Sequence, residues 1–164
     1  MSSEYVKSPR EAHLMAGVAV AELMEAVLGK GFPFRLAAPG ISMTPFICDG
    51  DVITIRALSA PLRKGDVVAF RQPYTAQLKV HRILHVLPEG YLIQGDNTSE
   101  PDGRIPVSAI IGRVVRVEHK GKQVRMGLGP ERVVIARLSQ HGWLKPVAFL
   151  LLKVLKPLKY CFYR

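Results

Sequence analysis

Between residues 34 and 126 the chain is cut into seven short β-like runs, and that punctuation restricts the fold more than any other feature. The runs are 34–38, 51–56, 67–70, 77–86, 91–94, 112–118 and 123–126. They are rich in Val and Ile and separated by Gly, Pro and Asp turns, the pattern of many short antiparallel strands. Pro88-Glu89-Gly90 between two of them reads as a hairpin turn. Both ends of the chain read as helix instead. Ser8-Pro9-Arg10-Glu11 has the form of a capping box with proline at the first helical position. Ala, Leu and Met dominate from there to Leu28, and Gly29 and Gly31 offer stops. Residues 131–141 are a second candidate helix, and the chain from Leu144 onward a third. The expected fold is mainly β (α+β), with helices flanking an antiparallel sheet. It divides into an N-terminal helical segment 1–31, a β domain 32–127 and a basic helical segment 128–164.

A chain of 164 residues, 48% hydrophobic and 22% charged, can bury a core without cross-links. Its two cysteines, Cys48 and Cys161, lie far apart with no CxxC or His-rich spacing. That excludes a disulfide scaffold, speaks against a zinc site, and leaves no cofactor or metal to expect. Cys48 reads as a small core residue. The net charge of +10 is unevenly placed. After residue 118 there are ten Lys/Arg and a single acid, Glu131, so nearly all the excess sits in the last quarter. Such a tail suits an anionic partner, a membrane surface or a nucleic acid.

On a helical wheel Lys145, Lys153, Lys156 and Lys159 fall on one side. Leu144, Val147, Leu151, Val154, Leu155, Leu158 and Phe162 fall on the other, with Pro157 set to kink or end the helix. Two readings fit: a helix lying in a membrane interface, or a terminal helix packed on the body with its lysines in solvent. The charge favours peripheral membrane contact through residues 144–164, and nucleic acid is not the expected partner. No run approaches the 20 or so apolar residues a spanning helix needs. Glu11, Glu22 and Glu25 interrupt any signal-peptide pattern. The expected location is therefore peripheral to a membrane, otherwise cytoplasmic.

The loop Pro39-Gly40-Ile41-Ser42-Met43-Thr44-Pro45 follows a β-like run. Gly40 allows unusual backbone angles and close approach to a substrate. Ser42 on such a turn can expose its hydroxyl and aim its own N–H at a carbonyl oxygen, which is what a serine nucleophile with a backbone oxyanion hole requires. A serine there is also an ordinary turn former. The hydroxyl needs a base, and His81 can serve at neutral pH. An acid such as Asp102 could orient the imidazole, as in the Ser–His–Asp arrangement. Asp102 could equally pair with Arg104. Asp96 reads as a turn former whose carboxylate accepts backbone N–H bonds. Lys79, two residues before His81 and on the same strand face, is an alternative base.

These boxes together are more specific than any one of them. The series G-x-S-M-x-P, G-D-V, K-G-D-V-V-x-F, H-R-I, G-D-N, D-x-R and I-G-R-V resembles the catalytic core of type I signal peptidases and their relatives. The resemblance covers about residues 34–117, makes 32–127 the expected β catalytic domain, and implies the bent antiparallel β-sheet assembly of the signal peptidase and LexA type, shared with the self-cleaving peptidases. In the bacterial branch the base is a lysine just before an arginine; His81 before Arg82 resembles the histidine branch instead. The resemblance implies Ser42 as nucleophile, His81 as general base and Asp102 as acidic partner, with Asp96 and Arg104 structural near the site. It leaves open whether Asp96 or Asp102 orients His81. Gly40 stands where signal peptidases usually carry serine, as in the LexA type, which leaves mainly the Ser42 N–H for the oxyanion. A peptide could lie as a strand beside 34–38, with Phe34 and Leu36 lining its site.

The expected activity is a serine-type endopeptidase cutting an extended peptide or preprotein after a small residue, the size preference resting on the resemblance alone. Self-cleavage is the alternative within peptidases, and Ala16-Gly17 is the type of bond such proteins cut. A non-catalytic module is the alternative outside them. It would bind membrane or nucleic acid through the basic tail, where Trp143, Tyr160, Phe162 and Tyr163 interleave with the cations.

Overall fold

The computed structural model describes residues 9–141, with side chains from residue 17 onward. The basic helix expected over 144–164 lies outside those residues, as does Ser8 of the expected capping box. Helix α1 (Pro9–Gly29) leads into β1 (Phe34–Ala37), β2 (Val52–Arg56), β3 (Val67–Arg71), β4 (Leu78–Leu87) and β5 (Gly90–Gln94). Then come β6 (Arg104–Ile105), β7 (Ile110–His119), β8 (Lys122–Val124) and α2 (Arg132–Gln140). The sheet is antiparallel throughout, in the order β1-β2-β7-β3-β4-β5-β6, with β8 paired to the far half of β7. The mainly β architecture with flanking helices is as expected. β6 and the 3-10 turn Val107–Ala109 fall where no element was expected, because two or three residues carry no readable period.

The sheet curls because its ladders slip. Register shifts occur at Thr54/Ile55, Ala69/Phe70 and Ile83/His85, and such bulges increase local twist. Curling lets both faces of β3 be covered. Val67 and Ala69 pack on one side with Met24 and Leu28 of α1, Ile47, Ile53 and Ile55. Val68 and Phe70 pack on the other with Leu62, Ile83, Ile93 and Ile105. A strand buried on both faces reads as a continuous apolar run, and Val-Val-Ala-Phe is one. Helix α1 reaches the sheet at Gly112, where a Cβ would lie 2.9 Å from the Leu28 side chain and 2.7 Å from the Arg56 carbonyl oxygen. Among the described residues no helix is long and apolar enough to cross a membrane.

Two consequences bear on the site. Among the described residues β1 pairs with β2 alone, which leaves its other edge without a strand partner. On β4, side chains alternate, so Lys79, His81 and Ile83 share one face and Val80 and Arg82 the other.

Candidate active site

Ser42 stands in the loop between β1 and β2, and that loop is held from two sides. Gly40 has φ +83° and donates its N–H to Asp49 Oδ1 at 2.7 Å. Nothing lies within 4 Å of where its Cβ would stand, so glycine serves the backbone angle there and not a shortage of room. The buried Asp51 accepts the Cys48 N–H at 2.8 Å with one oxygen and faces His119 Nδ1 at 2.6 Å with the other. Opposite, Asn97 donates its N–H to the Ser42 carbonyl at 2.7 Å and its side-chain amide to the Ile41 carbonyl at 3.2 Å. The Ser42 N–H itself has no acceptor among the described residues.

His81 and Asp102 reach this hydroxyl from β4 and from the loop before β6. Ser42 Oγ is 3.0 Å from His81 Nε2, and His81 Nδ1 is 2.6 Å from Asp102 Oδ2. Only one tautomer serves both contacts if Asp102 is ionised and the ring neutral. Nδ1–H then donates to the carboxylate and Nε2 accepts from the hydroxyl. The two side chains are 8% and 7% exposed, and the Phe70 ring packs 6.2 Å from the imidazole, centre to centre. Burial pushes the Asp102 carboxyl up, but the hydrogen bond and charge of His81, then those of Lys79, outweigh it and hold it below the ordinary aspartate range.

The structure separates the two acids that the sequence left in competition. Asp102 meets His81; Asp96 does not. Asp96 is fully buried and takes Arg82 Nε and Nη2 at 2.8 and 2.7 Å, while Arg82 Nη1 donates to the Gly65 and Gly127 carbonyls. Its carboxylate therefore holds a guanidinium and not the backbone N–H groups expected of a turn former. Arg104 is exposed on β6 and pairs with neither acid, because both are already taken. Lys79, read as an alternative base, points its Nζ to Asp102 Oδ1 at 2.7 Å and makes no bond to Ser42.

Two contributors escaped the sequence reading. Gly95 has an ordinary φ, yet a Cβ there would lie 2.7 Å from the Ser42 carbonyl oxygen and 3.0 Å from His81 Nε2. Asn97 ties down the nucleophile loop. Both belong to the Gly-Asp-Asn box, so the box itself was the signal; its tertiary contacts were not readable.

Ser42, Lys79 and His81 line an apolar cleft of about 600 Å³ with Phe34, Leu36, Ala38, Met43, Leu78 and Val80. Gly17 and Val20 of α1 line it as well. No group of His, Cys, Asp and Glu among the described residues could hold a metal ion. Chemically, the arrangement can deprotonate a hydroxyl beside an unengaged backbone N–H and an apolar cleft.

The family model described as Peptidase S24-like matches residues 11–115, more than half of the chain, a span that includes Ser42, His81 and Asp102. No curated protein matches the chain.

Proposed function

We propose, for a chain that belongs to the S24-like peptidase family, that it is a serine endopeptidase cutting an extended, signal-peptide-like segment after a small residue. The observation that carries this reading is one imidazole bonded to the Ser42 hydroxyl on one nitrogen and to a buried carboxylate on the other. As Ser42 Oγ attacks the scissile carbonyl carbon, its proton passes to His81 Nε2, and Asp102 stabilises the imidazolium. The carbonyl oxygen becomes an oxyanion that the Ser42 N–H can receive. Collapse of that intermediate breaks the C–N bond, and His81 returns the proton to the departing amine. A water deprotonated by His81 then releases the acyl group from Ser42. The open edge of β1 supports binding of the peptide as an added strand, with Phe34 and Leu36 beside it in the cleft. An acylating fluorophosphonate should label the wild-type protein at Ser42 and leave Ser42→Ala unlabelled. Absence of labelling from folded protein at any pH would sink this reading in favour of a scaffold.

Self-cleavage is supported by one particular observation: Gly17 lines the same cleft as Ser42. The bond Ala16-Gly17 lies inside α1, so the helix must unwind there to present its carbonyl. Incubation should then yield a chain beginning at Gly17 in the wild type and not in Ser42→Ala. A stable intact mass would dismiss it.

Membrane contact is proposed for residues 144–164, on their charge. Each Lys or Arg beside an anionic leaflet contributes about 1 kcal/mol, and residues 141–164 hold five with no acid. Salt-sensitive binding to anionic vesicles should disappear on deletion of 143–164, with Ser42 labelling retained. Unfolding on that deletion, with no vesicle binding by the full chain, would mean that the tail packs on the body.

A further inference from the structure

From the split carboxylate of Asp102 we infer that Lys79 is a positioning residue for this chemistry: its ammonium group fixes Asp102 so that His81 is held towards Ser42 with Nε2 free of a proton. This role presupposes the peptidase reading above.

Lys79 and His81 are two apart on β4 and so project from the same face. Each takes a different oxygen of the same carboxylate, Lys79 Nζ on Oδ1 at 2.7 Å and His81 Nδ1 on Oδ2 at 2.6 Å. The terminal torsion of an aspartate is soft when only one partner holds it. Two partners on two oxygens set the carboxylate plane, and the plane sets the direction of the imidazole.

The charge matters as well as the geometry. The Asp102 side chain is 7% exposed, so solvent does little to keep it ionised. Before attack His81 must be neutral, and a neutral ring gives Asp102 a hydrogen bond but no charge. In that state Lys79 supplies, among the described residues, the one full positive charge in contact with the carboxylate. Once the serine proton reaches Nε2, a second cation stands on the same carboxylate, and Lys79 opposes it. Lys79 therefore balances the Asp102 charge while the ring is neutral.

The surroundings leave few rivals for this task. The charges that act on Asp102 come from His81 and Lys79, both on β4. β3 places apolar Val68 and Phe70 opposite His81 and Lys79. Gln72 of the loop after β3 donates to the Asp102 backbone carbonyl, at 3.4 Å, and to neither of its carboxylate oxygens. Arg82 is on the opposite face with Asp96, and Glu100 and Arg104 of the Asp102 loop are exposed. Lys79 keeps one third of its own side chain in solvent, so reaching Asp102 does not require burying the whole chain.

The test uses the full chain and a fluorophosphonate probe. Labelling rates at Ser42 are measured against pH for wild type, Lys79→Met and Lys79→Arg, with Ser42→Ala as control. The His81 ring is titrated by NMR in the same proteins. In Lys79→Met the rising limb of labelling should move up by roughly one pH unit, the scale of a lost unit charge across one carboxylate. The ring signals should move with it, and Lys79→Arg should restore both. A purely structural lysine would alter the melting temperature and leave the limb in place. An unmoved limb and unmoved ring titration in Lys79→Met, or an Arg variant displaced as far as Met, would overturn the role. If wild type and Ser42→Ala alike fail to label, it is the peptidase reading that has failed, and the ring titration alone then decides whether Lys79 acts on His81. Lys79→Gln, which keeps polarity without charge, replaces Met if the latter does not fold.

Discussion

Asp96 and Asp102 stand six residues apart, both have buried side chains, and each is ion-paired to a side chain of β4; yet only Asp102 is linked through an imidazole to a hydroxyl. Asp96 meets a single planar guanidinium that occupies both of its oxygens, and Arg82 spends its remaining donors on two backbone carbonyls. A guanidinium only donates, so Arg82 offers no nitrogen that could take a proton from a hydroxyl. Asp102 meets two separate partners, and one of them is an imidazole with a second nitrogen on a hydroxyl. The lesson is that the partner, and not the depth of burial, distinguishes a structural carboxylate from a reactive one. A single-residue step along β4, from His81 to Arg82, changes both the sheet face and the role.

The largest effect should come from breaking the reactive side. Asp102→Asn should keep its fold, because its partners lie near the cleft, and should cut turnover by up to about 10⁴-fold. Labelling rate set against a denaturant melt checks both halves, and a near-normal rate would remove Asp102 from the site. The same change on the other side should invert the outcome. Asp96→Asn leaves Arg82 buried beside a neutral amide, which should lower stability by about 3–5 kcal/mol. Chemical denaturation reads it, and a wild-type midpoint would mean the guanidinium finds solvent instead.

What was legible in the chain follows the same division. The strands were readable because Val/Ile runs between Gly, Pro and Asp turns carry their own period, and Ser42, His81 and Asp102 stood out as residue types with reactive side chains. Arg82 was only a letter in a box. Its meeting with Asp96 is a contact across β4 and the loop after β5, with no local signature. Lys79 was noticed for the wrong chemistry: its nitrogen suggested a base, whereas its reach along the strand face took it to Asp102. Gly95 was invisible because a glycine that makes room for another loop has ordinary backbone angles and leaves no turn pattern.

Gly95 gives a smaller and sharper probe of the comparison. In Gly95→Ala the new methyl would press on the Ser42 carbonyl oxygen and on His81 Nε2. Overpacking of this kind costs about 1–3 kcal/mol, and displacing the base by an ångström can cost about 10²-fold in rate. A labelling loss well beyond the shift in melting should follow, and equal losses would assign Gly95 to folding alone.

The mildest test is acid. Asp102 is held below the ordinary aspartate range in the folded protein, so it takes its proton at lower pH folded than unfolded. Its contribution to stability is therefore complete above the ordinary range and fades as pH falls through the lowered value. Glu131 behaves in the same direction: burial raises its carboxyl, and its own N–H with those of Gly127 and Gly129 more than offsets that. The melting temperature should start to drop as pH enters the ordinary carboxylate range and go on falling to the lowered value, less steeply in Asp102→Asn. An identical acid profile in that variant would count against the assigned direction.

The open edge of β1 has a further consequence, for the behaviour of the protein in concentrated solution. A strand edge that can receive a peptide can equally receive the edge of another molecule and begin a stack. β1 limits that hazard by being only four residues long and by turning Arg35, 59% exposed and paired with Glu118, to the outside. Short length caps the number of ladder bonds a neighbour can form, and a cation repeated at each rung would repel its copies. The edge proposed for peptide binding thus carries its own safeguard against gelation.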